Sequence, residues 1–246
     1  MPYRTIIFSK QDHIASIVLN RPRTGNAVNP AMAQEIEEVC RSVNQDDDIY
    51  AVTITGRGSA FCTGGNIREE VQYHPAGSIA AIDRPVIAAL NGDALGEGLE
   101  IALSCDIRLA SAKAHFGLLQ VATGQIPADG GTQRLPRIIG RGKALELLMT
   151  AEIISAREAL EIGLVSRVCE PEALDGEVQK LAETIGAKGP IALRYLKEAI
   201  NKGLDLTLEQ GLRLEADLYF LLHTTADRTE GIRSYLEKRK PEYRGK

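Results

Sequence analysis

Apolar residues dominate IASIVLN, residues 14–20, where only Ser16 and the closing Asn20 are polar, and the run stops at Arg21-Pro22 and a turn at Gly25-Asn26. That is the pattern of a strand closed by chain breakers. Residues 30–44, PAMAQEIEEVCRSVN, change period: Met32, Ile36, Val39, Cys40 and Val43 share one face at helical spacing, and Pro30 suits a first helical turn. The β-branched run IYAVTIT (49–55) predicts a second strand and PVIAAL (85–90) a third. A helix at LEIALSCD (99–106) and a strand at CDIRLAS (105–111) follow. Helical pieces within 131–148 are broken around Pro136 and Gly140–Gly142. A helix over Ser155–Gly163 precedes a short strand at LVSRV (164–168). Beyond it the chain reads as helical to its end. Strand–helix alternation of this kind predicts an α/β fold with a helical C-terminal extension. The composition shift at Gly189-Pro190 divides a core over 1–189 from a helical region over 190–246. Leu193, Leu196, Ile200, Leu214 and Leu218 line apolar faces there. Those faces have two readings, contact with another subunit or packing on the chain's own core.

Composition narrows the function classes. The 246 residues suffice for one large domain. A net charge of −4 with no long basic run argues against nucleic-acid binding. No stretch reaches the ~20 apolar residues of a membrane span, and the first residues lack a secretory apolar segment with its cleavage site. Cys40, Cys62, Cys105 and Cys169 are scattered without a CxxC, as buried thiols of a reducing compartment are. These features predict a soluble, cytoplasmic protein. The four histidines share no metal-ligand spacing, so no metal site is predicted. Asp46–Asp48 reads as a solvated turn. No GxGxxG opens a helix, GRGK (140–143) runs into Ala144 rather than Ser or Thr, and no GxSxG elbow occurs. Nicotinamide, flavin, nucleotide-hydrolysing and serine-hydrolase chemistries therefore lack their signatures, and no cofactor is expected.

Two glycine-rich strand exits remain, FCTGGN (61–66) and NGDALGEGLE (91–100). Their glycines either permit tight strand-to-helix turns and nothing more, or let two backbone N–H groups converge on a developing oxyanion, with a helix N-terminus behind one of them.

The run PVIAALNGDALGEGLEIALSCDIRLA, then Phe116-Gly117, GQIPADGGTQRLPRIIG and ISAREALEIGLVSRV, resembles the enoyl-CoA hydratase/isomerase (crotonase) superfamily, from LNRP (19–22) to the terminal EKRKPEYRGK. The resemblance implies a spiral of ββα units over 1–189, with C-terminal helices over 190–246 building a homotrimer or a dimer of trimers around an acyl-CoA thioester substrate. It places the oxyanion hole at the N–H groups of Gly65 and Glu97, and Glu100 at one of the two glutamates that hydratases use as acid and base. Arg23, Gly25 and Ala27 match positions facing the adenine end of coenzyme A. Gly65, Asn66, Ile67 and Arg68 match the segment beside the thioester. Tyr235 and Lys238 match positions that reach the nucleotide, often from a neighbouring subunit. The implied reaction is hydration of a 2-enoyl-CoA to a 3-hydroxyacyl-CoA, as in fatty acid metabolism. The alternatives are a Δ3,Δ2-enoyl-CoA isomerase, a hydratase of cyclic or dienoyl-CoA, and a catalytically silent acyl-CoA-binding subunit.

Three residues depart from the family pattern. Gln120 stands where the second glutamate is expected, and an amide orients water but carries no proton. Asp129 replaces a small apolar residue in IPADGG. It reads either as the N-cap of the helix at Gly130-Gly131-Thr132 or as a relocated carboxylate handling the second proton. Glu97 replaces the middle glycine of a GGG turn, either solvated or buried beside Glu100, where like charge raises a pKa. The segment between Ile67 and Pro85, which shapes the acyl pocket in relatives, is also short, with Tyr73 and His74 assigned to a mobile surface loop.

Overall fold

The computed structural model describes residues 3–65 and 74–246. In chain order the strands and helices are β1 (Ile6–Gln11), β2 (Ile14–Leu19), α1 (Pro30–Gln45), β3 (Ala51–Gly56), β4 (Ala60–Cys62), α2 (Pro75–Ala80), β5 (Val86–Leu90), β6 (Asp93–Leu95), α3 (Glu97–Ser104), β7 (Ile107–Ser111) and β8 (His115–Gly117). They continue as α4 (Gly131–Ile139), α5 (Arg141–Thr150), β9 (Ile154–Ser155), α6 (Ala156–Glu161), β10 (Arg167–Cys169), α7 (Leu174–Gly186), α8 (Pro190–Gly203), α9 (Leu208–Leu222) and α10 (Ala226–Leu236).

Strands are dealt alternately to two sheets. The larger has the order β1-β2-β3-β5-β7-β10, parallel except for the β1–β2 hairpin. The smaller is β4-β6-β8-β9, with β4, β6 and β8 parallel. Each of the pairs β3–β4, β5–β6 and β7–β8 starts in the large sheet, crosses to the small one and leaves toward a helix. The result is a spiral of ββα turns. The core lies between the sheets, where Ile17, Ile54, Phe61, Leu90, Ile101 and Phe116 are buried together. On the other face of the large sheet, Ile87, Ala89 and Leu109 meet Leu174, Val178 and Ala182 of α7. β5 is therefore covered on both sides and every residue in it is buried, which is why VIAAL shows no alternation.

The long elements fall where their periodicity predicts them. α1 starts at Pro30, capped by Asn29, whose side chain accepts from the Met32 amide. α6 carries a Ser155–Glu158 capping box. The helical break in 131–148 needs one correction: it falls at Gly140, with φ 82°, while Pro136 is accommodated inside α4. The thiols need another, since Cys169 is only partly buried, unlike the other three. Asp46–Asp48 is a surface turn, but it is ordered: Lys10 pairs with both Asp46 and Asp48, at 2.9 and 2.8 Å.

Beyond Gly189 the helices keep much of their apolar surface uncovered. α8 is held to the core through Lys197, which reaches Asp106 at 2.7 Å. In α9 only Leu218 is buried, while Leu208, Leu212 and Phe220 are exposed. No helix among the described residues is long and apolar enough to cross a membrane.

Candidate active site

The site forms because β4 and β6 are parallel neighbours, so the chain leaves both at the same edge of the small sheet. After β4 it runs through Thr63-Gly64-Gly65, and after β6 through Gly96 into α3. Gly64 (φ 104°) and Gly96 (φ 53°) take left-handed conformations that a side chain would strain. Gly98 is required by proximity instead: a Cβ there would lie 1.9 Å from the Cys62 carbonyl oxygen. This contact lets α3 start directly against the exit of β4. The Gly65 N–H and the first-turn N–H of Glu97 belong to these adjoining turns, and the helix start leaves N–H groups without an intrahelical acceptor.

Glu100 follows Glu97 by three residues on α3, so both side chains leave the same helical face. Its carboxylate is 1% exposed. One oxygen accepts from the Asp129 and Gly131 amides at 2.7 and 2.9 Å, and the other from Gln120 Nε2 at 3.3 Å. Burial pushes the Glu100 carboxyl above the usual range; the two backbone donors oppose that shift, and the charges of Asp129 and Glu97 add to it. Gln120 opens a one-turn 3-10 helix after β8. Its Oε1 is buried with no partner among the described residues, so the amide holds Glu100 with one end and presents an acceptor with the other.

Asp129 is placed differently from either expectation. Its carboxylate accepts from the Ala76 and Gly77 amides at 2.6 and 3.1 Å, with His74 Nδ1 3.7 Å away. It thus caps the N-terminus of α2, not that of α4, whose N-cap is Gly130 without a side-chain bond. The link from Asp129 to Glu100 is its main-chain N–H. Both oxygens of the supposed relocated carboxylate are committed to another helix. Burial nevertheless holds this carboxyl above its ordinary range against those two donors.

The first loop is joined to the same edge by Asn26, a fully buried residue that sequence reasoning treated only as part of a turn. Its side chain accepts from Arg21 N and donates to the Arg57 and Ala60 carbonyls. Thr63 donates its amide to the Gly25 carbonyl at 2.9 Å, and Val28 donates to Gly64 at 2.7 Å. A Cβ on Gly25 would meet Thr63 Oγ1 at 2.6 Å. Gly25 and Ala27 therefore border the Gly64-Gly65 turn, and Arg23 is exposed beside them. A buried Asn at left-handed φ (57°) has a sequence signal only in its Gly-Asn context.

A model of the enoyl-CoA hydratase/isomerase family matches residues 9–246. The chain belongs to this family. The crystal structure of an enoyl-CoA hydratase from Bacillus anthracis has a TM-score of 0.93 at 38% identity, covering 99% of this chain and 100% of that one. A crotonyl-CoA hydratase of Syntrophomonas wolfei is 40% identical, covering 99% of both chains. An (E)-benzylidenesuccinyl-CoA hydratase of Thauera aromatica is 39% identical over 95% of this chain and 96% of its own. Relatives with very different acyl groups are thus similar to a like degree.

Against the family pattern, Gly65 meets Glu97 and Gln120 meets Glu100, and the two pairs lie on either side of Gly96, where a Cβ would come 3.6 Å from Gly64 Cα and 3.9 Å from Gln120 Nε2. Asn66, Ile67 and Arg68, and Tyr73 with them, lie outside the described residues. Tyr235 is 83% exposed on α10 and borders a groove shared with Ile191, Leu222, Ile232 and Tyr243. Lys238 follows that helix in an exposed turn. That groove contains none of Gly65, Glu97, Glu100 and Gln120.

Proposed function

We propose that the protein hydrates a 2-enoyl-CoA to a 3-hydroxyacyl-CoA using one carboxylate. The observation that carries this reading is the Glu100–Gln120 pair set beside two glycine-turn N–H groups. The thioester oxygen accepts from the Gly65 and Glu97 amides, which draws electron density from the alkene and makes Cβ electrophilic. Gln120 Oε1 accepts one hydrogen of a water, and Glu100 takes the other proton as hydroxide adds to Cβ. The enolate held in the oxyanion hole then recovers that proton from Glu100 at Cα, so the carboxylate ends as it began. Glu100 suits both steps, because burial raises its proton affinity while two amides stabilise its anion. Asp129 acts in this scheme as a positioning residue, fixing α2 and offering its main-chain N–H to Glu100.

The same single carboxylate also fits a Δ3,Δ2-enoyl-CoA isomerase, which moves a proton between carbons without water. The adenine end of coenzyme A is assigned to Arg23, Gly25 and Ala27, with Tyr235 and Lys238 supplied by a neighbouring subunit. The exposed apolar residues of α8, α9 and α10 support a homotrimer or a dimer of trimers, with 190–246 as its assembly region. No cofactor beyond the substrate's coenzyme A enters the scheme, and the protein is placed in the cytoplasm, in fatty-acid-type metabolism.

Mass spectrometry of straight-chain, branched and cyclic enoyl-CoA esters incubated in D₂O tests the reading. Addition of heavy water identifies a hydratase and its acyl group. Deuterium incorporation with a shifted double bond and no added water identifies the isomerase instead. Binding without either change would make the chain a silent acyl-CoA-binding subunit.

A further inference from the structure

The oxyanion site holds an acceptor of its own. Gly65 N–H donates to Glu97 Oε2 at 2.7 Å. A Cβ built on Gly65 would lie 2.9 Å from Glu97 Oε1, and one on Gly64 would lie 3.1 Å from Oε2. The carboxylate therefore folds back over the glycine turn and takes the N–H that the thioester oxygen requires. The positive end of α3, whose first residue is Glu97 itself, favours an anion at this place. Both turn residues beneath it are glycines, so neither puts a side chain into that space.

We propose that Glu97 is an affinity- and specificity-determining residue, an internal ligand of the thioester-oxygen position that an acyl-CoA must displace. The inference rests on the assignment of the Gly65 and Glu97 amides to the thioester oxygen. A carboxylate accepts a stronger hydrogen bond than a neutral thioester carbonyl does, so the exchange weakens ground-state binding. The displacement is needed equally for substrate and transition state. Its cost therefore appears in KM. It applies only to ligands that bring an oxygen to the site, and a coenzyme A derivative without a carbonyl has no reason to move Glu97.

Calorimetric titration of the full chain with butyryl-CoA and with its thioether S-butyl-CoA tests this. Glu97→Ala removes the carboxylate, keeps the amide donor and suits a helix. The expected result is a Kd for butyryl-CoA lowered by about tenfold or more, with S-butyl-CoA changed by less than about threefold. Glu97→Gln, which retains a neutral acceptor of the same reach, should fall between wild type and Glu97→Ala, and it supplies the answer if the alanine variant does not fold. With the best ester from the D₂O panel, KM should fall in the same order. An equal gain for both ligands would show general relief of crowding or charge and overturn the proposal, as would no gain at all. Failure of the wild-type chain to bind butyryl-CoA while binding S-butyl-CoA would overturn the thioester assignment itself, and this inference with it.

Discussion

Replacing Glu100 by glutamine separates what this residue does for the fold from what it does for the reaction. One Glu100 oxygen satisfies two buried amides, Asp129 at 2.7 Å and Gly131 at 2.9 Å. Glu100→Ala would strand both, at about 1–3 kcal/mol each, and would confuse instability with lost chemistry. Glutamine keeps a carbonyl oxygen for these donors, and its NH₂ group can face Gln120 once that amide turns to offer its oxygen. The loss of charge-assisted strength is offset because a buried carboxylate no longer has to be desolvated, so the change in stability should stay within about 1 kcal/mol. Catalysis should suffer far more. An amide neither takes the proton of water nor returns one to Cα, and general acid–base groups are worth about 10²–10⁴ in rate. With no second carboxylate among the described residues directed at Glu100, we expect kcat to fall by about 10³ or more, with thioester affinity preserved. Loss of the enoyl chromophore on the best ester from the panel gives kcat, calorimetry with a saturated ester gives binding, and urea unfolding gives stability. A Glu100→Gln chain within about tenfold of wild-type kcat would refute the single-carboxylate mechanism.

The raised Glu100 carboxyl has a signed consequence for pH. Because the folded state binds its proton more tightly than the unfolded state does, the residue's contribution to stability is full below the unfolded carboxylate range and is lost as pH rises through the raised folded value. The stability difference between wild type and Glu100→Gln should therefore shift against wild type as pH increases across that window, and a flat difference would contradict it. Over the same window the acid limb of kcat/KM should lie above the ordinary carboxylate range and vanish with the variant's activity. Asp129→Asn weakens the anionic cap on α2 and should lower stability by about 1 kcal/mol while holding kcat within about tenfold; a 10³-fold fall would make Asp129 a proton carrier. Gln120→Ala removes one partner of Glu100 and the free acceptor, and kcat should drop about 10–100-fold with little change in saturated-ester binding. Asn26→Ala leaves the Arg21 amide and the Arg57 and Ala60 carbonyls without their partner and should cost about 2–4 kcal/mol in urea unfolding.

The sequence by itself determined the long elements and the family. Helix periodicity over α1, the β-branched run of β3 and the capping box of α6 are local properties, set by which side chains repeat at 3.6 or 2 positions, and they are readable without a partner. The glycine turns were legible as well, because left-handed backbone at Gly64 and Gly96 leaves few alternatives to glycine. The short strands β4, β6 and β8, of three residues each, were not legible. Their stability comes from pairing with segments tens of residues away, and three residues carry no period. β1 was missed for a related reason: it is an edge strand whose burial is confined mainly to Ile6.

Tertiary structure alone decided how the polar residues are used. Nothing in IPADGG says that the Asp129 carboxylate turns to α2 while its amide turns to Glu100, since that depends on where the spiral sets one helix end beside another. Asn26 is polar in a turn by sequence and a buried clamp by packing. Glu97 reads as an acidic residue at a helix start; only the adjacency of β4 and β6 brings its carboxylate onto Gly65. A side chain's chemistry is local, but the donor or acceptor that satisfies it is chosen by long-range topology, because a buried polar group must pair with whatever the fold puts next to it.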